Sequence, residues 1–228
     1  MDKSFEDQLG EALLRLYRAD RYMYNVAARL KILPGDSSAV PPGVRGYTNG
    51  AQIFLTDAWH EADPKTQLTT LTHETGHVIF QHIPRIASLP DGRYDHRRMN
   101  VAADLSMVQT QQALGQHPPI CDVVPNWQDY MDMDMFDIYD LLPEDAGKAD
   151  LGHPSIEPGS GEGSGDGATP GAIPAPSQDD MYQAAQAVQQ ATMQADIEGY
   201  STNLTKAASR ALVDVSADKL RWDIHLTQ

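Results

Sequence analysis

Residues 71–82 read Leu-Thr-His-Glu-Thr-Gly-His-Val-Ile-Phe-Gln-His and contain His-Glu-x-x-His. On a helix, His73 and His77 lie one turn apart on one face, close enough for both imidazoles to hold a single metal ion. Glu74 stands beside them, placed to handle a proton on a metal-bound water. Zinc suits two imidazoles when a third protein ligand leaves one coordination position open. A shuffled chain of this composition carries the pattern roughly once in a hundred, so the surrounding elements must decide.

The helix that would carry the motif starts at Asp63 or Pro64, with Pro64 at its first position. It turns Leu68, Leu71, Val78 and Ile79 inward and is expected to run to Pro84, which cannot continue it. Apolar residues surround much of its circumference, so it is expected in the body of the fold. Two imidazoles and a carboxylate on a buried helix are costly without partners, which strengthens the metal reading.

A third ligand has to come from elsewhere. Arg97–Leu114 returns to helical spacing, and Asp104 is its only carboxylate. Aspartate is short, so its helix must approach the metal helix closely, and Ala102, Ala103 and Gly76 are small enough to allow that. Asn100, one turn earlier, is placed to orient Asp104 from behind. The bland alternative for Asp104 is a surface acid on an amphipathic helix. His82 competes for the third position. It lies about 140° round a helix from His77 and would reach the metal only past a break near Pro84, so it is read as a supporting, hydrogen-bonded residue. His96 and His117 are further candidates.

Around these two helices the chain is expected to be mainly helical, an α+β arrangement with a small sheet or hairpin. Residues 4–31 carry Leu9, Leu13, Leu14, Tyr17, Tyr24, Ala27 and Leu30 at helical spacing and predict one long amphipathic helix stopped by Pro34-Gly35. After a Pro- and Gly-rich loop, residues 50–56 predict a strand, paired in a hairpin with 44–47. An exposed strand beside the metal helix can pair with an extended peptide; the plain alternative is an ordinary sheet strand. Pro90-Asp91-Gly92 predicts a turn. Residues 116–133 form a connection in which Trp127 and Tyr130 pack under the loop or line a cleft. Residues 134–142 predict a short helix, and the spacing of its acids does not fit a calcium-binding EF-hand. Residues 144–180 are acidic and rich in Gly, Pro and Ser, composition that cannot form a packed core. Helices follow over 180–198, 201–213 and 216–226, the last anchored by Trp222. The expected organisation is therefore a metal-binding core over 1–143, an acidic insert over 144–180, and C-terminal helices over 181–228 packing back on the core. The chain stops at Gln228 inside a helical pattern, an ending expected of a trimmed chain or one that a further domain follows.

The chain is 228 residues long and 41% hydrophobic, enough for a core. Its net charge is −15, but residues 129–180 hold 13 acids and one Lys, so nearly all of the excess sits in that segment. The balance argues against nucleic acid, whose phosphates need Lys and Arg. Cys121 is the single cysteine, so no intrachain disulfide forms, as expected in a reducing compartment. No signal-peptide pattern opens the chain, and no run approaches the roughly 18 apolar residues that span a bilayer. A cytoplasmic location without membrane contact is expected.

The order of these features resembles a bacterial and phage metallopeptidase domain that often precedes a von Willebrand factor A-like domain. The residues that carry the likeness are the first helix and strand to Leu55, His73-Glu74-x-x-His77 with His82, and Asn100-Val101-Ala102-Ala103-Asp104. Ile138-Tyr139-x-Leu141-Leu142, the acidic insert and Leu220-Arg221-Trp222 add to it. The resemblance implies a zincin-type fold in which His73, His77 and Asp104 bind Zn2+ and Glu74 is the general base. It also implies a possible partner domain or ATPase.

The leading expectation is a zinc peptidase acting on a peptide or protein. Tyr94, His96 and Tyr130 are candidates to stabilise the oxyanion. The competing reading is a catalytically silent, zinc-stabilised module that captures a peptide or protein. The intact Glu74 speaks against it, because a structural site needs no base and favours four protein ligands. The blandest reading is a helical protein with an accidental motif.

Overall fold

A computed structural model describes residues 3–89, 94–146 and 174–213. The fold is mainly helical α+β with one three-stranded sheet. The expected turn at residues 90–92, the centre of the acidic segment, and the last helix with Trp222 lie outside the described residues.

The N-terminal pattern breaks where one continuous helix was expected. Helix α1 (Phe5–Ala19) is capped by Ser4, whose hydroxyl accepts from the Asp7 N–H. Asp20 is extended, with φ −151°, and ends α1. Its carboxylate accepts from the Met23 N–H at 2.7 Å, so the same residue caps α2 (Arg21–Ala27). Apolar spacing runs through both helices, which is why periodicity alone hid the break.

Pro34-Gly35 closes a strand and not a helix. Strand β1 (Lys31–Pro34) pairs parallel with β3 (Gln52–Leu55), and β2 (Gly46–Thr48) pairs antiparallel with β3 from the other side. Pro34 lacks an N–H, but β1 is an edge strand and can accept it. The expected hairpin is present, turning at Asn49-Gly50, where Gly50 has φ +90°. The strand order β1-β3-β2 corrects one expectation. The sequence offers residues 50–56 as a strand to pair with a peptide, yet β3 is central and both its edges are taken. The edge that packs on the motif helix is β2.

Helix α3 (Asp57–His60) leads to α4 (Pro64–Ile79). Asp63 caps α4 through the N–H groups of Lys65 and Thr66, with Pro64 in its first turn. Every residue from Leu71 to Ile79 is buried. α4 packs against α1, α2, β2 and two later helices, α6 (His96–Ala113) and α9 (Gln178–Glu198), so it forms the centre of the described fold. It stops sooner than expected. Gln81 adopts a left-handed conformation (φ 54°, ψ 36°), and α5 (His82–Ala87) starts immediately after it. Pro84 therefore sits in the first turn of a new helix, where its missing N–H does no harm.

Helix α6 (His96–Ala113) is capped by Asp95. It crosses α4 at Gly76, where a Cβ would lie 2.6 Å from Met107 Sδ. The connection after α6 holds α7 (Ile120–Val123) and a 3-10 turn at Trp127–Tyr130, then α8 (Met135–Leu141). Arg85 of α5 pairs with Asp134 at the start of α8 at 2.8 Å, and Arg98 of α6 donates to the carbonyls of Tyr139 and Leu142 at its end. Helix α9 (Gln178–Glu198) opens on a Ser177–Asp180 capping box and ends at Gly199, φ 74°. Its Ala184, Val188, Ala191 and Ala195 join the core of α1, α2 and α4. Residues 203–213 are helical and add Leu204 and Ala208 to the same core. Among the described residues, no helix is long and apolar enough to cross a membrane.

Candidate metal centre

The i,i+4 spacing on α4 sets the His73 and His77 rings edge to face, with centroids 4.7 Å apart and an interplanar angle of 82°. Their Nε2 atoms are 3.1 Å apart. Asp104 arrives from α6 and places Oδ1 3.5 Å from His73 Nε2 and 3.3 Å from His77 Nε2. Ala102 and Ala103 are fully buried beside it, and the missing side chain of Gly76 leaves room for the Met107 thioether of α6. Among the described residues, no other group of three His, Cys, Asp or Glu side chains comes together in this way.

The dimensions of this triangle can be tested against an ion. Ligands about 2.0–2.1 Å from a tetrahedral zinc are separated from one another by about 3.3 Å. Sides of 3.1, 3.3 and 3.5 Å match one face of such a tetrahedron. The donor chemistry also fits, with two imidazole nitrogens, one carboxylate oxygen and no fourth protein ligand in the group. His73 is 8% exposed, Glu74 3%, His77 4% and Asp104 4%. In so dry a place, converging lone pairs need a proton or a cation between them. Burial works to lower the His77 pKa, but the hydrogen bond and charge of Asp104, with the charge of Glu74, outweigh it and raise the value. The site therefore favours positive charge at its centre.

Glu74 lies next to His73 on α4 and is buried. Strand β2 passes directly over it: a Cβ on Gly46 would lie 3.3 Å from Glu74 Cγ and 2.8 Å from Thr70 Cγ2. Glycine at this position is what lets the sheet approach the carboxylate.

His82 stays outside the triangle. The left-handed turn at Gln81 folds it back beside His77, and the two Nδ1 atoms are 3.0 Å apart. Its Nε2 is 3.1 Å from Ser106 Oγ, and Ser106 donates to the Ala103 carbonyl at 2.7 Å. Burial first, then the charges of His77 and Arg85, hold the His82 pKa well below the usual histidine value. Ser106 was not among the expected site residues. Its signal was faint: a single hydroxyl on α6, two positions after Asp104, flanked by Leu105 and Met107.

Asn100 is buried one turn before Asp104 on α6, and its Oδ1 has no hydrogen-bond partner among the described residues. His96 begins α6 with its ring 4.7 Å from that of Tyr94, centroid to centroid. Tyr130 packs in the second core cluster with Val101 and Ile138, and Trp127 lies against that cluster. His117 pairs with Asp122 on the surface. Cys121 is buried in the cluster with Val101 and Ile138, and burial raises its thiol pKa.

Residues 4–224 match the family model described as "Putative metallopeptidase domain". The chain belongs to this family. No curated protein and no solved structure matches it. Membership of the metallopeptidase family and the buried His-His-Asp triangle both point to a metal ion.

Proposed function

We propose that the chain is a zinc-dependent peptidase, a hydrolase that cleaves peptide bonds in an extended peptide or protein. His73, His77 and Asp104 hold the ion, and Glu74 is the general base. The observation that carries this reading is the triangle of Nε2, Nε2 and Oδ1 atoms, whose sides suit three ligands of one tetrahedral ion.

When bound, zinc supplies Lewis acidity, lowering the pKa of a water and polarising a carbonyl. The protein's own part falls mainly to Glu74. Its carboxylate takes the proton of the attacking water as the oxygen adds to the scissile carbon. It then passes that proton to the amine nitrogen as the C–N bond breaks. Burial of Glu74 keeps bulk water from competing for the proton. Asp104 compensates the positive charge of the site, and its reach from a second helix fixes the position of α6 against α4. Three protein ligands leave room for water and substrate, as a catalytic site requires.

Replacing Glu74→Gln keeps the shape and removes the base. The variant is expected to retain the metal and to lose roughly 10²–10⁴-fold in cleavage rate on a fluorogenic peptide library. Full proteolysis by Glu74→Gln would overturn the assignment. Loss of cleavage in this variant, with metal content unchanged, separates a base from a ligand.

A further inference from the structure

Behind His77 runs a row of polar groups that the cleavage chemistry leaves unused. In order they are His77 Nδ1, His82 Nδ1, His82 Nε2, Ser106 Oγ and the Ala103 carbonyl, with separations of 3.0, 3.1 and 2.7 Å across the three contacts. We infer that this row is a one-way hydrogen-bond relay that presets the tautomer of His77, with His82 and Ser106 as positioning residues for the metal ligand. The inference rests on the zinc reading above and deepens it.

The direction follows from the far end. A backbone carbonyl accepts and cannot donate. The single hydroxyl proton of Ser106 is therefore committed to Ala103 O. Toward His82, Ser106 Oγ has only lone pairs left, so His82 Nε2 carries the proton of that contact. A neutral imidazole has one N–H, which leaves His82 Nδ1 as an acceptor. The 3.0 Å contact to His77 is then made by the His77 Nδ1–H. In the neutral His77 ring that can ligate a metal, Nε2 then keeps the lone pair and directs it at the triangle. Run the other way, the relay would place the proton on His77 Nε2 and block the ligand position. A ligating histidine usually gives its second N–H to a carboxylate, carbonyl or water. Here the acceptor is a second imidazole, whose polarity is in turn set by a hydroxyl and a main-chain oxygen.

The backbone is shaped for this. A helix continued from α4 would carry His82 about 140° round from His77. Gln81 instead takes up a left-handed conformation, which disfavours a residue with a side chain. That turn at Gln81 is what brings the two Nδ1 atoms together. Local backbone strain at a site is commonly held there by the packing around it, and Gln81, His82 and Ile83 are all buried.

The test is a long-range proton–nitrogen correlation spectrum of the full chain with 15N-labelled histidine, recorded with and without zinc. His82→Asn identifies its signals. The expected spectrum has His82 protonated at Nε2 and unprotonated at Nδ1 in both samples, and His77 protonated at Nδ1 when zinc is present. His82 protonated at Nδ1 would overturn the relay. Failure to take up zinc would count against the metal reading alone, because the metal-free spectrum still reports the His82 tautomer. In a second measurement, Ser106→Ala removes the polarity-setting hydroxyl. It is expected to weaken zinc binding by roughly 10–100-fold in chelator competition and to shift the visible spectrum of the cobalt-loaded protein. Ser106→Thr keeps the hydroxyl and is expected to restore both. An unchanged zinc affinity and cobalt spectrum in Ser106→Ala would overturn the positioning role.

Discussion

Asp104 is the residue on which the proposed chemistry depends most sharply, because His73 and His77 share one helix while Asp104 must be delivered by another. Asp104→Asn preserves its size and removes its charge. We expect zinc affinity to fall by at least the roughly 10–100-fold that follows loss of a mere supporting partner, measured by chelator competition. An Asn variant binding zinc as tightly as the parent would exclude Asp104 as a ligand. Both histidines and Glu74 could be picked out because a metal pair on a helix needs only i,i+4 spacing, which sequence displays directly. Asp104 stood out as the single carboxylate of a helix with small residues around it. Ser106 did not, because its meaning depends on a left-handed backbone at Gln81, and no side-chain type announces that conformation in advance.

At the level of elements, the α4–α6 crossing at Gly76 brings Asp104 to the two imidazoles. Gly76→Ala would gain up to about 1 kcal/mol in helix propensity. The new Cβ, however, meets Met107 Sδ at 2.6 Å inside a packed core, and overpacking costs about 1–3 kcal/mol. Net destabilisation and weaker zinc binding are expected, read by urea unfolding and by the same competition assay. A more stable variant with unaltered affinity would mean the crossing has slack. Helix α9 is tied to the sheet through the Lys31–Asp180 ion pair. The Lys31 ammonium and the Ser177 hydroxyl lower the Asp180 carboxyl pKa to about 2. A depressed carboxyl stabilises the fold above its unfolded value of about 3.9 and loses that contribution as pH falls through about 2. Asp180→Asn should therefore flatten stability across pH 4 to 2, measured by thermal melting, while an unaltered acid profile would show that the pair contributes nothing. Helices with long apolar stripes and capping residues were readable along most of the chain. The missed strand β1 and the split of the first helix share one cause: Pro34 and Asp20 each have two structural uses, and only tertiary pairing chooses between them.

For the whole molecule, the core that gathers α1, α2, the sheet, α4 and α9 surrounds the motif helix on most sides. Removing the ion should therefore loosen the centre of the fold and not just its rim. A ligand that binds only the folded state at a thousandfold excess over its Kd stabilises by about 4 kcal/mol. Melting with saturating zinc should accordingly occur well above melting with chelator, and coincident curves would argue that no ion is held in the folded state. In the proposed function the buried triangle of His73, His77 and Asp104 binds one zinc ion. Elemental analysis of the purified full chain after dialysis against trace zinc measures that occupancy. One zinc per chain is expected in the parent and in Glu74→Gln, and none in Asp104→Ala; a folded parent that stays free of zinc would overturn the proposed site.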